Sequence, residues 1–423
     1  MSLGLLHLAY FIFQCVNQHY LLADSKEYLL EAENIRSQFY FYCGNVDAPF
    51  NRDLLSKRTP LYPLILAGLQ LFFKSFVWVT LTQIGLSFLN VGLLIKALRL
   101  YKIEVNYFLL LVFLIFTPSY FIYANLVMSE ILFQICITIC FVTFLYFLKK
   151  RETKYLWIYI LSIILAMMAK PAFYLFAYAN IALAIFYYWR IKQIQILYLA
   201  IIPVAFVLLY SFANQQRSGH FHFSSISKIN ALNYNSYYFL MKKGGAEQAE
   251  LQVDAIHDKA LKISDYDAQS KFIKSATKDI LIDNFFAYGW YHFKGSLLFF
   301  LDPGRFDLAS FFGVEGKTED GLLHQKNKSG EGGVFNKLKQ QPIMLLLILG
   351  LIFFFNLIKL LALFGFAFKK SIPLDVKIIV LGIIAYLAFL TGPLGASRFA
   401  LPVLMLVLFA CLSFWEPLRK TLT

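Results

Sequence analysis

Residues 129–148 read SEILFQICITICFVTFLYFL, and the basic residues Lys149, Lys150 and Arg151 follow immediately. The stretch holds one charged side chain, Glu130, and is long enough to cross a bilayer as a helix. The chain of 423 residues is 59% hydrophobic and 15% charged, with a mean hydropathy of +0.62. Because soluble domains are about 45–50% apolar and about 25% charged, this composition excludes a water-soluble fold. The sequence also lacks the alternating short strands of an outer-membrane barrel.

Apolar blocks of this kind recur along the chain, and we expect an all-α polytopic membrane protein with about ten transmembrane helices. The predicted spans lie at 2–18, 77–98, 106–123, 129–148, 155–169, 172–189, 194–212, 342–367, 376–391 and 399–415. We expect the first block to be a retained helix, since no basic residue before Lys26 supplies the charged start of a signal peptide.

The net charge of +14 is concentrated in short clusters that follow apolar blocks. The clusters are Lys96, Arg99 and Lys102; Lys149, Lys150, Arg151 and Lys154; Arg190 and Lys192; Lys369, Lys370 and Lys377; and Arg419 with Lys420. The predicted crossings place every cluster on one side, which the positive-inside rule assigns to the cytoplasm together with both termini. No DNA- or RNA-binding module accompanies these charges, so we expect no nucleic-acid partner.

The predicted spans divide the chain into an N-terminal membrane module at 1–212, an external domain at 213–341 and a C-terminal membrane module at 342–423. The N-terminal module holds about seven spans and the C-terminal module about three. A first external loop lies at 19–76, and within it the apolar segment 61–73 is short and bounded by prolines. We therefore expect this segment to lie in the outer interface, or to re-enter the membrane, rather than to span it.

The external domain has a mixed-charge composition unlike that of the spans. Residues 245–283 have helical spacing, and the aromatic stretch 284–301 predicts an amphipathic surface helix. The Gly- and Lys-rich stretch 313–333 predicts a mobile loop. His220 and His222 are expected at the surface rather than as metal ligands, because no third ligand is evident nearby.

Chemistry is sought where ionisable groups meet the membrane, because charge there is costly. Asp24 opens the segment ADSKEYLLEA, where an Asp-Ser pair favours a helix cap and a functional carboxylate is the alternative. Glu130 begins a span, where a carboxylate suits a helix N-terminus. Three cations are expected on the same outer face, where each could anchor the chain or bind a phosphate: Arg58, Lys170 and Arg398. Together, the carboxylate and the cations suggest a site for a lipid-linked phosphate with a nearby base.

Six short features follow one another along most of the chain. They are Asp24 with Tyr28, R-x-P-x-Y-P at 58–63, S-E-x-x-F at 129–133, A-K-P at 169–171, N-x-x-x-x-G at 214–219 with Asn230 beyond it, and R-F-x-L-P at 398–402. In this order they resemble the GT-C superfamily of integral-membrane glycosyltransferases, the protein mannosyltransferase and aminoarabinose transferase class. The resemblance implies an inverting enzyme that moves a sugar from a polyprenyl-phosphate carrier to an acceptor glycan, lipid or protein.

The resemblance also assigns roles and a location. It implies an inner-membrane protein whose active site faces the periplasm, with membrane lipids and the lipid-linked sugar as partners. Metal dependence varies among such enzymes, and we expect no cofactor and no metal here because the sequence contains no metal-binding or nucleotide-binding motif. The implied catalytic residues are Asp24, as the base, and Glu130; the implied phosphate-binding residues are Arg58, Lys170 and Arg398; the implied supporting residues are Tyr28, Tyr62 and Asn214. Some relatives carry an acidic pair in the first loop, whereas Ser25 follows Asp24 here, so Glu27 or Glu130 would supply the second carboxylate.

Three alternatives stay open. An O-antigen polymerase or ligase would share the lipid-linked substrate but would not need a carboxylate in the first loop. A lipid-linked-sugar transporter or flippase predicts ionisable residues near the bilayer midplane and symmetry between its halves. The charged candidates instead lie at the predicted ends of spans, which favours a reaction at the membrane surface. A non-catalytic membrane subunit is the third alternative.

Overall fold

The computed structural model describes residues 2–313 and 343–416. Within these residues the protein is all-helical, with 81% of residues in helices and no strand. In the described part of the chain, seven helices are long and apolar enough to cross a membrane, which confirms a multi-pass helical membrane protein. These candidate spans are Val77–Leu100, Glu130–Lys150, Pro171–Ile191, Gln195–Ser218, Ile343–Phe368, Leu374–Leu394 and Ser397–Trp415.

The other three predicted spans are shorter in the structure. Ser2–Asn17 and Thr153–Ala169 are helices of 16 and 17 residues. The predicted span at 106–123 is wrong as a continuous helix, because it divides into Tyr107–Ile115 and Ser119–Ala124. Pro118 lies at the break, where its ring and its missing N–H prevent the first helix from continuing. Leu61–Phe72, which we expected not to span, is a helix of 12 residues.

The helices before the external domain carry the labels used below. They are α1 (Ser2–Asn17), α2 (Ala23–Gln38), α3 (Leu61–Phe72), α4 (Val77–Leu100), α5 (Tyr107–Ile115), α6 (Ser119–Ala124), α7 (Glu130–Lys150), α8 (Thr153–Ala169), α9 (Phe176–Ile191) and α10 (Gln195–Ser218). The most deeply buried candidate span is α7, which packs between α4 and α8. The predicted membrane modules therefore share a core centred on this helix, because the helix Leu404–Trp415 of the C-terminal module also packs against it.

The remaining helices follow in two groups. Those of the external domain are α11 (Ile226–Asn230), α12 (Tyr237–Gly244), α13 (Ala246–Leu261), α14 (Tyr266–Ile282), α15 (Phe285–Leu301) and α16 (Arg305–Phe312). Those of the C-terminal part are α17 (Ile343–Phe368), α18 (Leu374–Thr391), α19 (Ser397–Ala400) and α20 (Leu404–Trp415). The helices expected over 245–283 are confirmed as α13 and α14, and the aromatic stretch 284–301 forms α15.

Helix α15 lies across the loop that follows α18. The His292 Nε2 atom is 2.6 Å from the carbonyl oxygen of Phe389. A Cβ atom built on Gly295 would lie 2.2 Å from the carbonyl oxygen of Gly392, so the close approach of helix and loop requires glycine. This packing brings the C-terminal end of α15 beside Ser397, where the Asp302 carboxylate accepts a hydrogen bond from the Ser397 amide at 2.7 Å.

The described basic clusters meet at one end of the bundle. The Lys369 ammonium donates to the carbonyl oxygens of Ser413 and Glu416 at 2.7 and 2.8 Å. The Glu416 carboxylate in turn accepts from the Glu104 amide, in the turn after α4. Three further contacts complete this end: Arg190 with Asp375, Lys149 over the Tyr101 ring, and Gln193 with the Arg151 carbonyl. The cluster at Arg419 and Lys420, and the predicted mobile loop beyond Gly313, lie outside the described residues.

Candidate active site

Asp24 lies in the first turn of α2, and its carboxylate bridges two arginines. The Oδ1 atom accepts from Arg58 Nη2 at 2.8 Å, and Oδ2 accepts from Arg398 Nη2 at 2.5 Å. The helix cap predicted for the Asp-Ser pair is present, but Asp24 does not form it. Ser25 has that role instead, because its hydroxyl accepts from the backbone amide of Leu22 at 2.9 Å. The Asp24 carboxylate is therefore engaged only by side chains that come from distant parts of the sequence.

Glu130 is the first residue of α7 and is fully buried, with 0% of its side chain exposed. Its Oε1 atom accepts from Lys170 Nζ at 2.6 Å and from Arg398 Nε at 2.5 Å, while Oε2 has no hydrogen-bond partner among the residues that the structure describes. Pro171 disfavours the helical conformation at the preceding residue, so α8 ends and Lys170 is extended, with φ −151° and ψ 122°. This break holds the Lys170 ammonium at the Glu130 carboxylate.

Arg58 is held from three sides. Besides Asp24, its Nε atom donates to Glu27 Oε2 at 2.7 Å, and Glu27 Oε1 accepts from Lys57 Nζ at 2.6 Å. Glu27 lies nearly one turn after Asp24 on α2, so the same helix presents both carboxylates to the loop that carries Lys57 and Arg58. The Arg58 guanidinium also lies over the Tyr28 ring, 5.0 Å from its centre.

The two predicted supporting tyrosines lie beneath this arrangement. The hydroxyl groups of Tyr28 and Ser129 are hydrogen-bonded at 2.9 Å, which ties α2 to the start of α7. The rings of Tyr28 and Tyr62 meet edge to face with centres 5.1 Å apart, and the Tyr62 hydroxyl donates to Gln83 Oε1 at 3.0 Å. Both tyrosines are buried. They therefore fix the floor of the site and are not available to a ligand.

All five ionisable residues predicted for the site lie together, and with Glu27 and Lys57 they form what we call the charged cluster: Asp24, Glu27, Lys57, Arg58, Glu130, Lys170 and Arg398. Four cations and three carboxylates give the cluster a formal charge of +1, which favours an anionic ligand. Asp24 has 29% of its side chain exposed, unlike Glu130. Asp24 can therefore face a ligand, whereas Glu130 can only act on its neighbours.

The electrostatics of Asp24 follow from these contacts. Burial alone would raise the pKa of its carboxyl group, but the guanidinium groups of Arg398 and Arg58 outweigh burial and hold that pKa well below its usual range. The carboxylate is thus ionised and weakly basic while both arginines bind it. An incoming oxyanion that took hydrogen bonds from the arginines would release the carboxylate and make it a stronger base.

Asn214, the third predicted supporting residue, lies outside the charged cluster. Its side-chain amide donates to the carbonyl oxygens of His222 and Phe223 at 3.2 and 2.9 Å. His222 Nε2 lies 2.6 Å from the Ser56 hydroxyl, two residues before Arg58. Asn214 therefore acts on the site only through the segment that supports the Arg58 loop.

The expected surface position of the two histidines is wrong, because His220 and His222 are both buried. Burial lowers the pKa of His222 to about 4, so the ring is neutral. In the matching tautomer, His222 Nδ1 donates to the His220 carbonyl oxygen at 2.7 Å and Nε2 accepts from the Ser56 hydroxyl. Among the described residues, no group of three His, Cys, Asp or Glu side chains is arranged to hold a metal ion.

Sequence reasoning missed a further carboxylate next to the charged cluster, that of Asp307. Its two oxygens accept from the Tyr123 hydroxyl at 2.7 Å and the Ser397 hydroxyl at 2.6 Å, and burial raises its pKa to about 6. These hydrogen bonds hold Asp307 near Arg398. The guanidinium carbon of Arg398 lies 6.0 Å from the centre of the Tyr123 ring. No motif around Asp307 predicts its position beside Arg398, because that position depends on the packing of α16 against α6.

Sequence reasoning also overlooked Lys359, a cation well inside the predicted span at 342–367. Lys359 is buried in α17, and its ammonium donates to the Thr117 hydroxyl at 2.8 Å. It lines a cavity of about 50 Å³ together with Asn356 and Asp302. Lys359 could have been identified from the sequence, because a charged residue within a predicted span is uncommon and usually functional.

No family model matches the sequence, and no curated protein or solved structure matches the chain.

Proposed function

We propose that the protein is an inverting glycosyltransferase that moves a sugar from a polyprenyl-phosphate carrier to a glycan, lipid or protein acceptor. One observation carries the proposal: a partly exposed carboxylate, Asp24, is shared between two arginines at the end of the bundle opposite the basic clusters. Phosphate oxygens and carboxylate oxygens accept the same guanidinium hydrogen bonds, so a lipid phosphate can replace Asp24 at both arginines. The order of motifs that resembles the GT-C superfamily supports the same assignment.

In the proposed reaction, the donor phosphate binds Arg58 and Arg398 and displaces the Asp24 carboxylate. Asp24 then accepts the proton of an acceptor hydroxyl group as that oxygen attacks the anomeric carbon from the face opposite the phosphate. The bond between the anomeric carbon and the phosphate oxygen breaks, and the polyprenyl phosphate leaves with the electron pair. The cations stabilise the charge that develops on the leaving phosphate. Binding of the donor and activation of the base are therefore one event.

Glu130 has a positioning role in this proposal. Because it is buried, it cannot contact the acceptor, but its Oε1 atom binds both Lys170 and Arg398. A buried carboxylate between two cations fixes their side chains and offsets their mutual repulsion. Arg398 can then give its Nη atoms to a phosphate while its Nε atom stays bound to Glu130. This division of labour leaves Asp24 as the base and Glu130 as the residue that orients the cations.

We also propose that the three shorter segments cross the membrane, for ten crossings in all. The supporting observation is that α8 begins beside the basic end, where Lys154 pairs with Glu152, and ends at Lys170 in the charged cluster. The broken pair α5–α6 likewise runs from Asn106 at the basic end to the loop before Ser129. The positive-inside rule then places the basic end in the cytoplasm and the charged cluster on the periplasmic side of the inner membrane.

A lipid-linked-sugar transporter is the second candidate, and Lys359 is the observation that favours it. A cation inside a span is expected of a transport pathway. The two candidates differ in which residue is essential. A transporter would lose function in Lys359→Met and keep it in Asp24→Asn, whereas a transferase of the kind proposed here would lose turnover in Asp24→Asn.

The proposal is tested by mass spectrometry of lipid-linked and protein-linked glycans from cells that carry the parent gene, no gene, Asp24→Asn or Glu33→Gln. Glu33 is a matched control, because it lies on the same helix but forms an exposed pair with Arg36 away from the charged cluster. We expect one sugar modification to disappear without the gene and with Asp24→Asn, and to persist with Glu33→Gln. An unchanged glycan profile in cells without the gene would contradict the transferase assignment.

A further inference from the structure

The external domain holds the loop that carries Arg58. This loop, residues 51–58, contains the short helix Arg52–Leu55, which Asn51 caps by accepting a hydrogen bond from the Asp53 amide at 2.9 Å. Its contacts with the external domain come from the segment before α11, from α11 itself and from α14. We call residues 51–58 the Arg58 loop.

Asp53 makes three of these contacts. Its Oδ1 atom accepts from the Tyr266 hydroxyl at 2.6 Å and from the Lys228 ammonium at 2.8 Å. Its carbonyl oxygen accepts from the Ser225 hydroxyl at 2.6 Å. Burial and the Asp53 carboxylate raise the pKa of Tyr266, so the phenol group stays protonated and donates. We call these four residues the Asp53 clamp: Asp53, Ser225, Lys228 and Tyr266.

The buried ammonium group of Lys228 gives the Asp53 clamp its specificity. Only 6% of the Lys228 side chain is exposed, and Asp53 is the one carboxylate with which it pairs among the described residues. Two further contacts are with neutral groups, the Ser270 hydroxyl at 3.1 Å and the Tyr266 ring, whose centre lies 4.7 Å from the ammonium nitrogen. A buried cation is costly without a hydrogen-bonded counter-charge, so this pair favours one position of the Arg58 loop relative to the external domain.

Two more hydrogen bonds extend this contact toward Arg58. The Ser56 hydroxyl lies 2.6 Å from His222 Nε2, and the Ser224 hydroxyl donates to the carbonyl oxygen of Lys57 at 3.2 Å. The external domain therefore fixes the backbone as far as the residue immediately before Arg58.

The position of this backbone matters most when a ligand replaces Asp24. In the proposed reaction, Arg58 gives up its hydrogen bond to Asp24 and has to reach a phosphate oxygen instead. Such a charged hydrogen bond needs a donor–acceptor distance of about 2.7–2.9 Å, so a backbone shift of about 1 Å would break it.

We propose that Asp53 is a positioning residue of the donor site, and that the Asp53 clamp uses the external domain to hold Arg58 where the lipid phosphate binds. This role rests on the proposed function, because it concerns binding of the polyprenyl-phosphate donor. Asp53 acts through the Arg58 loop and does not contact the donor. Loss of the clamp therefore weakens donor binding and leaves turnover unchanged once the donor is saturating.

The test compares the full-length parent with Asp53→Asn and with the double variant Asp53→Asn/Lys228→Met. Asparagine leaves the buried Lys228 ammonium without a counter-charge, whereas the double variant also removes that ammonium and should fold as stably as the parent. Asp47→Asn is the matched control, because Asp47 is an exposed carboxylate in the same external loop.

Three quantities are measured for each protein. Affinity for farnesyl phosphate, a short polyprenyl phosphate, is measured by thermophoresis, and turnover by transfer of radiolabelled sugar from the lipid carrier. The mobility of the Arg58 loop is measured by hydrogen–deuterium exchange of its backbone amides.

We expect both clamp variants to bind farnesyl phosphate about tenfold more weakly than the parent, as they would if the loop held Arg58 in position about a tenth of the time. Amide exchange in the Arg58 loop should be faster in both variants, because the loop opens more often. Turnover at saturating donor should stay within about twofold of the parent. Asp47→Asn should match the parent in all three measurements.

Recovery of the parent affinity in the double variant would overturn the proposal, because it would show that only the unpaired Lys228 charge had mattered. Unchanged affinity in both variants would overturn it as well, and so would a loss of turnover at saturating donor. Failure of the proposed function is distinguishable, since the parent itself would then not bind farnesyl phosphate. Amide exchange would in that case decide whether the Asp53 clamp holds the Arg58 loop.

Discussion

We expect Asp24→Asn to lower turnover while it strengthens binding of the donor phosphate. The carboxylate accepts hydrogen bonds from Arg58 at 2.8 Å and Arg398 at 2.5 Å, and each such charged bond is worth about 1.5–3 kcal/mol. Asparagine keeps one acceptor oxygen, while Arg58 retains Glu27 and Arg398 retains Glu130, so the folded site should persist. The formal charge of the cluster rises from +1 to +2, and a phosphate no longer has to displace a carboxylate.

We therefore expect Asp24→Asn to bind polyprenyl phosphate about tenfold more tightly, a gain of about 1.4 kcal/mol. Turnover should fall by about 10²–10⁴, because the base for the acceptor hydroxyl is gone. Donor affinity is measured by thermophoresis of the purified protein, and turnover by transfer of radiolabelled sugar from the lipid carrier. Glu130→Gln, measured in parallel, should be impaired but retain measurable turnover, since Glu130 orients the cations.

Two results would refute the reasoning about Asp24. Transfer within about tenfold of the parent rate would remove it from the role of base, given the usual size of general-base effects. Weaker donor binding in Asp24→Asn would show that the carboxylate organises the arginines and does not compete with phosphate. Glu33→Gln should match the parent in both assays, because its exposed pair with Arg36 lies outside the charged cluster.

Three further predictions concern binding, stability and topology. Alanine in place of any of the three cations proposed to bind the phosphate, Arg58, Lys170 and Arg398, should weaken donor binding by about tenfold or more in the same thermophoresis assay. Arg36→Ala is the control and should leave donor binding unchanged. Burial raises the pKa of Glu31 to about 8. The unfolded chain loses this proton above about pH 4.5, whereas the folded protein keeps it up to about pH 8. The free energy of unfolding therefore falls as the pH rises from about 4.5 to about 8. Glu31→Gln should thus stabilise the protein by as much as about 4 kcal/mol near pH 8; an equal shift in melting temperature at pH 4.5 would contradict this cause. A cysteine introduced at the exposed Ser264, or near Ser329 outside the described residues, should be labelled in intact cells, whereas a cysteine at Lys150 should not. The reverse labelling pattern would place the charged cluster on the cytoplasmic side of the membrane and contradict the proposed topology.

Much of the candidate site could be predicted from the sequence, because each of its charged residues interrupts or borders an apolar block. Glu130 and Arg398 begin candidate spans, and Lys170 precedes a helix-ending proline. These local patterns do not show which side chains the charged residues contact in the folded protein. Glu27 was named only as an alternative second carboxylate, and Lys57 was not distinguished from ordinary surface charges, since the contacts of both residues follow from the packing of α2 against the loop that carries Arg58. Lys359 was visible as a charge within a span and was overlooked.

Local chemistry also misled in identifiable ways. The Asp-Ser pair at the start of α2 predicts a cap, and a cap exists, but Ser25 forms it because both Asp24 oxygens are taken by arginines from elsewhere in the chain. His220 and His222 lie in a polar stretch that predicts surface residues. In the structure, α14 and the loop that carries Ser56 and Arg58 cover them. The apolar stretch at 106–123 predicts one span, and Pro118 divides it.

The sequence by itself determined the helical membrane class, the approximate positions of the candidate spans and the end of the bundle that carries the basic clusters. These properties depend on the length, hydropathy and charge of contiguous segments, which are local quantities. Only the tertiary structure decided that Asp24, Arg58, Glu130, Lys170 and Arg398 meet, and that Asp24 is exposed while Glu130 is buried. Hydrogen bonds and charge pairs fall off within a few ångströms, so they depend on which helices pack together and not on spacing along the chain.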